Sequence, residues 1–405
     1  MRILYLCHRL PYPPNKGDKI RAFNQIRAMS ERHEVDLFTL ADDPNDMQHQ
    51  PALLKYCRSV KVAPVNPKMA RLWSLPYLLT RTPLTIPYFY SAELQREVSK
   101  ALAERSYDRI FVYCSAMAQY VESAKIPTIL DLVDVDSDKW TQYARFTRFP
   151  LSAVYRREGH ALRRYEKRVS EQSARVLVST EREAQLMREI SSAAVVDVVP
   201  NGVDVDYFNP AAYQLGKPAP APHAPAVIFT GDMSYFPNQE AVIYFARKVL
   251  PVVRQSAPEV RFLIVGRNPN RAVTDLQQIE GVEVTGFVPD IRAQLARAQV
   301  AVAPFSIAAG IPNKILEAMA YGLPVVATPR ATQGLSPRLA DMVYQGKTTE
   351  ELAAHIVLLV RDVASAQRIG LDGRRRVTED YNWGSALNQL LQLIENPTGG
   401  RSAGL

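Results

Sequence analysis

The 405-residue chain has few of the features that would place it outside the cell or across a membrane. It holds only three cysteines, Cys7, Cys57 and Cys114, an odd number with no Cys-x-x-Cys spacing. That argues against a disulfide framework or a zinc site and fits a reducing compartment. The opening residues, Met-Arg-Ile-Leu-Tyr-Leu-Cys-His, are too short an apolar run for a signal peptide. No run approaches the ~20 apolar residues of a membrane span. The expected location is therefore cytoplasmic, with peripheral docking at the inner face of the plasma membrane as an option. No nucleic-acid motif accompanies the basic charge, so nucleic acid is not an expected partner.

What is present is ordinary globular material, 47% hydrophobic and 22% charged, long enough for two or three cores. The net charge of +8 is concentrated. Nine Lys/Arg face two Glu between Lys139 and Arg168, which accounts for nearly all of it. Within that stretch the spacing predicts a helix over 153–169. Tyr155, Leu162, Tyr165 and Val169 fall on one side, and Arg156, Arg157, Arg163, Arg164, Lys167 and Arg168 on the other. Two readings stand: docking on an anionic membrane surface, or a solvated basic face on a helix packed by its Tyr/Leu stripe. The aromatic and Pro-rich segment 68–90 (Trp73, Tyr77, Tyr88, Phe89) reads as core packing, with an apolar acceptor lip as the alternative.

The most informative stretch is 304–328, PFSIAAGIPNKILEAMAYGLPVVAT. The apolar run Val300–Ala303 reads as a buried strand. Gly310, Ile311 and Pro312 make a turn with Pro early in the following helix, Asn313–Tyr321, and Gly322-Leu-Pro324 stops it before a second strand. This is a βαβ unit whose helix N-terminus can hold an anion. A cation there is disfavoured by the helix dipole, so Lys314 points to a phosphate partner, with Glu317 one turn on. An exposed Lys–Glu pair is the bland alternative.

The same strand–turn–helix grammar opens the chain. A strand near Ile3–His8 runs into a turn holding Lys16 and Gly17, then a helix. At the end of the strand Thr128–Leu132 stand Asp131, Asp134, Asp136 and Asp138. Asp134 and Asp136 are candidates to meet substrate hydroxyls or a proton. Their D-x-D spacing also suits a divalent metal, but the two αβ halves weigh against that, and no metal is expected. The structural alternative is a helix cap by Asp136 or Ser137.

A Pro/Ala-rich linker, 211–225, separates the halves, and the pattern restarts. The expected organisation is an N-terminal Rossmann-like domain at 1–210 and a C-terminal one at 226–380. A last helix follows at 381–396 and a tail at 397–405. In the second half the strands end at Gly231, at Gly266-Arg267 and at Gly286-Phe287-Val288, and a single helix is expected over Gln239–Arg254.

Taken with LDLVDVDSDKW, PNGVD and GDMSYFPN, the stretch GIPNKILEAMA resembles the retaining glycosyltransferases of family 4, nearest to the sugar transferases of PEP-CTERM/exosortase exopolysaccharide loci. The resemblance implies an α/β GT-B fold of two Rossmann-like domains facing a cleft, with the last helix crossing back to the N-terminal domain. It implies transfer of a hexose from a nucleoside diphosphate sugar to a polyprenyl-linked or other glycan acceptor, with no metal or other cofactor. Glu317 matches the ribose-binding second Glu of the family's E-x7-E motif. Ala309 stands where the first, sugar-contacting Glu would be. Asn238 follows Pro237 where most members carry a basic residue and Gly, so Lys314 and Arg267 are left to meet the diphosphate. Gly286, Phe287 and Val288 match the loop that frames the base, and Asp replaces a His near Asp134 and Asp136. Other readings are a GT-B nucleotide-sugar epimerase and a weakly active, membrane-docked assembly partner.

Overall fold

The structure, a computed structural model, describes residues 1–14, 16–215, 224–307 and 310–397. Ala309, most of the Pro/Ala-rich linker and the last residues of the tail lie outside the described residues. The chain divides into two units, Met1–Pro200 with Gly384–Leu405, and Asn201–Trp383.

The first unit is built on a seven-stranded sheet of order β3-β2-β1-β4-β5-β6-β7. Its strands are β1 (Arg2–Cys7), β2 (Glu34–Ala41), β3 (Ser59–Pro64), β4 (Arg109–Tyr113), β5 (Thr128–Val133), β6 (Arg175–Val178) and β7 (Val196–Val198). All pairings are parallel. Leu4, Leu6, Phe38, Val112 and Leu130 are buried because helices cover both faces of the sheet. The second unit repeats the plan with six parallel strands in the order β10-β9-β8-β11-β12-β13. These are β8 (Ala226–Thr230), β9 (Arg261–Val265), β10 (Val282–Gly286), β11 (Val300–Ala303), β12 (Val325–Ala327) and β13 (Tyr344–Gln345). In both sheets the order reverses beside the first strand, so loops leaving the carboxyl ends on either side part there and leave a crevice.

A buried ion pair ties the first unit together. Arg21, on the helix Gly17–Ser30, donates Nε to Asp131 Oδ2 at 2.9 Å and Nη2 to Oδ1 at 3.2 Å. Its Nη1 donates to the Val199 carbonyl at 2.9 Å. Gln25 also donates to Asp131, and Tyr5 donates to Gln25. Neither member of the pair meets water, so its stability depends on every lone pair being satisfied.

Several elements differ from the sequence expectation. Residues 201–210 group with the second unit, whereas the sequence placed the break after Pro210. The PNGVD segment is the reason. A Cβ on Gly202 would strike the Trp383 ring at 2.7 Å, and Val203 N donates to the Tyr381 carbonyl at 2.8 Å. Arg374 then clamps the carbonyls of Val205, Phe208 and Ala320. The expected helix over Gln239–Arg254 starts earlier, at Phe236, and widens to a π turn at Phe245–Val249 before Leu250–Ser256 continues. Pro251 has no N–H to give the preceding turn, and the widened turn accommodates it. The helix expected over 153–169 spans Leu151–Gln172. The final helix, Trp383–Glu395, returns to the first unit, where Arg109 donates to the Ile394 carbonyl at 3.0 Å.

Removing one partner of the buried pair leaves a bare charge in the core. Asp131→Ala is expected to destabilise the first unit by about 3–5 kcal/mol, read as an earlier urea transition by circular dichroism. An unchanged midpoint would show that the pair does not anchor this unit.

Candidate active site

In the second unit the loops that leave β8, β9 and β10 are laced together by backbone. Gly231 N donates to Val265 O at 2.9 Å, Gly266 N to Gly286 O at 3.1 Å, and Met233 N to Arg267 O at 2.9 Å. The approach requires glycine. Gly266 has φ 153°, and any Cβ there would overlap the Gly231 carbonyl. A Cβ on Gly231 would lie 2.9 Å from Lys314 Nζ and 2.7 Å from the Asn238 amide nitrogen.

Lys314 reaches this floor from the helix Asn313–Ala320. The helix begins at Asn313, with Pro312 as its N-cap residue rather than inside the first turn, and Pro312 supplies no capping side chain. Lys314 Nζ donates to Asn238 Oδ1 at 2.7 Å and lies 4.1 Å from the Phe229 ring centroid and 4.6 Å from that of Phe305. Desolvation lowers its pKa from 10.5 to about 7. Asn238 is fixed in turn by donating to the Asp232 carbonyl at 2.8 Å. The same burial raises the Glu317 carboxyl, with Lys314 opposing. Among the described residues the two form no ion pair, so the bland reading of an exposed Lys–Glu pair does not describe them.

The remaining expected residues of this unit are placed as follows. Arg267 Nε donates to Asp232 Oδ2 at 2.9 Å, so its charge is matched internally. Gly286 has φ 68°, with Phe287 beside it 72% exposed and Val288 partly buried. Gly310 has φ 63°, Ile311 is buried, and Asn313 accepts from Asn201 at 3.3 Å. Sequence reasoning missed Glu240, whose Oε1 accepts from Ser306 Oγ at 3.1 Å and whose carboxyl is raised by burial. It comes from a helix about 65 residues away, with no local signal.

In the first unit the four aspartates after β5 separate. Asp131 belongs to the Arg21 pair. Asp138 meets Arg182 at 3.0 Å, and Asp136 meets Lys139 at 2.5 Å. Asp134 feels the Lys139 charge, which opposes the rise of its carboxyl. Its Oδ1 accepts from Ser179 Oγ at 3.1 Å, and burial raises its carboxyl. It follows Val133, a β-branched residue held at φ 66°, where the register of β5 shifts. Such strain at a sheet's carboxyl edge marks a site to test. The expected capping by Asp136 or Ser137 does not occur. The helix starts at Asp136, and carboxylates from other helices take that role. Glu183 accepts from Val135 N at 2.7 Å, and Glu166 accepts from Ser137 N at 3.1 Å and from Ser137 Oγ at 2.5 Å. Burial pushes these acids up to about 7 and about 8.

Gly17 opens its helix as the first residue, and Lys16 precedes it in extended conformation. Lys19 is turned inward onto Asp46 at 2.6 Å. His8 and Arg9, which the sequence did not single out, meet Asp18 at 3.5 and 2.8 Å. On the helix Leu151–Gln172 the stripe of Leu162, Tyr165 and Val169 lies in the core, while Arg156, Arg163, Arg164 and Lys167 are exposed.

Two family descriptions match consecutive parts of the chain. "Glycosyl transferase 4-like domain" covers residues 19–202, and "Glycosyl transferases group 1" covers 224–362. The chain belongs to the family 4-like glycosyltransferases of GT-B fold. A GDP-mannose-dependent alpha-(1-6)-phosphatidylinositol monomannoside mannosyltransferase of Mycobacterium tuberculosis is 24% identical over 242 residues. That match spans 55% of this chain and only 62% of the relative. An uncharacterized 44.6 kDa protein in the cps region of Klebsiella pneumoniae is 19% identical over 94% of this chain and 96% of its own. Among solved structures, sucrose-phosphate synthase of Thermosynechococcus elongatus superposes with TM-score 0.70 at 20% identity, covering 98% of each chain. Anabaena HepE, solved with UDP and glucose, gives 0.65 at 18%, covering 98% of this chain and all of that one. The structural likenesses establish the fold, two Rossmann-like units of GT-B type.

Lys314 generates a pH test with a definite sign. From about 7 up to 10.5 the unfolded chain holds a proton on this amine that the folded chain has lost. Folding stability from this group therefore rises with pH across that window. The Lys314→Met protein should lack this slope when the two are compared by denaturant titration at pH 6.5, about 8 and about 9.5. Parallel curves would refute the dehydrated amine.

Proposed function

We propose that the protein transfers a hexose from a nucleoside diphosphate sugar to a glycan acceptor with retention of anomeric configuration. The observation that carries the reading is Lys314. A dehydrated amine at the start of a helix, braced by Asn238 and two phenyl rings, gains most from an arriving diphosphate. As the bond to the sugar breaks, charge builds on the leaving diphosphate. Lys314 and the free amides of the helix Asn313–Ala320 would stabilise it without a metal. Glu317 is assigned to the ribose hydroxyls, and the exposed Phe287 with Gly286 and Val288 to the base. Gly310, Ile311, Pro312 and Asn313 form the turn that presents the amides. Asp134 is assigned to acceptor or donor hydroxyls, burial having raised its carboxyl, with Asp136 beside it.

UDP and glucose in the HepE structure support a UDP-sugar donor, and the mycobacterial relative supports GDP-mannose as a second candidate. That relative's phosphatidylinositol acceptor supports a lipid-linked acceptor and work at a membrane surface. The Klebsiella relative from the cps region supports a role in exopolysaccharide synthesis.

Donor turnover decides the reading. Lys314→Ala and Glu317→Ala should each lower transfer at least ~100-fold, and Lys314→Ala should also abolish the rise in melting temperature on adding UDP. Wild-type rates in both variants would sink the assignment. Conversion of the donor to an epimer without acceptor would replace transfer with epimerisation.

A further inference from the structure

The helix Pro67–Ser74 is built inside out. A surface helix normally turns its large apolar residues inward. Here the inward residues are the small Ala70 and Ser74. Met69, Leu72 and Trp73, at i, i+3 and i+4, face outward, with Leu72 59% and Trp73 68% exposed. The following turn, Leu75–Leu79, buries nothing, and Leu79 is 95% exposed. The sequence reading of this segment as core packing is thereby corrected for residues 69–79. Farther along, Ile86 is buried.

This segment is held firmly in place. Arg157 Nη2 donates to the carbonyls of Tyr77, Thr80 and Thr82 at 2.6, 2.5 and 2.7 Å. The buried Glu158 accepts from Leu84 N at 2.7 Å and from Thr85 N at 2.9 Å. Both anchors sit on the helix Leu151–Gln172. Its start lies six residues before Arg157, about 9 Å along the axis, where Leu151 and, ahead of it, Phe149 (84% exposed) and Phe146 meet solvent. Both stretches present exposed apolar residues on the first unit.

The charge around it has one sign. No acidic residue occurs from Met47 to Ala92 or from Lys139 to Arg157. Lys68, Arg71 and Arg81 are exposed beside the apolar crown, and Arg145 and Arg148 beside Phe146 and Phe149. A second copy of this chain would bring the same cations face to face, which is repulsive. An anionic bilayer satisfies both halves of the pattern. Leucine and tryptophan enter the interface while lysine and arginine reach the head groups. We propose that the segment Pro67–Leu79, with residues 146–151, is a bilayer-docking surface for anionic lipid. It refines the membrane-surface part of the reading above and moves the contact from the outer face of Arg163, Arg164 and Lys167. That face carries no exposed large apolar residue, and there Lys167 lies 3.9 Å from Glu171.

Flotation of the full chain with phosphatidylcholine vesicles, with and without phosphatidylglycerol, tests this. Wild type should bind the mixed vesicles and not the neutral ones. Leu72→Glu/Leu79→Glu should weaken binding at least ~10-fold with an unchanged melting temperature, since both side chains already meet water. Arg71→Gln/Arg81→Gln should reduce the preference for phosphatidylglycerol. Arg163→Glu/Arg164→Glu/Lys167→Glu should change binding less than about threefold. Tryptophan emission should shift to the blue on vesicles in wild type but not in Trp73→Phe. Unaltered binding by the Leu72/Leu79 variant overturns the proposal. So does loss confined to the Arg163 triple variant, or a dimer in solution that Leu72→Glu/Leu79→Glu dissolves. Donor turnover on a soluble acceptor reports separately on the transfer reading.

Discussion

Parallel strands deliver all their outgoing loops to one edge of a sheet, and that constraint shapes both units. At the crowded edge of the second sheet the Gly231 carbonyl comes so close to Gly266 that Gly266 admits no side chain, and a Cβ on Gly231 would press on the Asn238 and Lys314 side chains. Lys314, partly buried, reaches the same edge, where its ammonium meets one amide oxygen and two aromatic faces. An anion meets less competition from water there than it would at a solvated lysine. In the first unit Val133 at the end of β5 adopts a left-handed conformation where the strand register shifts.

Charge matching separates scaffold from chemistry. Most ionised groups near either sheet edge have a partner of opposite sign: Arg21 with Asp131, Arg267 with Asp232, Asp138 with Arg182, Lys19 with Asp46. Lys314 is held instead by an amide oxygen and two aromatic rings, and Asp134 by the Ser179 hydroxyl. Burial lowers the Lys314 amine to about 7 and raises the Asp134 carboxyl, and groups shifted in this way respond to whatever binds beside them.

The strand–turn–helix rhythm was legible because each link is local. Gly310 and Pro312 announce the Lys314 helix, and alternating apolar runs and glycines mark strands and edges. The partners of the aspartates were not legible. Arg21 lies 110 residues before Asp131, and Glu166 and Glu183 reach back to Ser137 and Val135 from other helices. The direction of Met69, Leu72 and Trp73 was hidden for another reason. Their spacing is the same whether the face turns in or out, and only the small Ala70 and Ser74 opposite them reveal which. The π turn at Phe245–Val249 had a single clue in Pro251, which also permits an ordinary kink.

The return of the last helix has a consequence for how the protein is made. The second unit is an insertion within the first, so the peptide passes between them twice, at Pro200–Asn201 and at Trp383–Gly384. On the ribosome, the seven-stranded sheet emerges complete while its final helix is still untranslated. Arg109 and Val198 must await the carbonyls and amides of residues 389–395 until the whole second unit has been synthesised. A chain clipped before residue 384 would therefore leave Arg109 and Val198 without these partners.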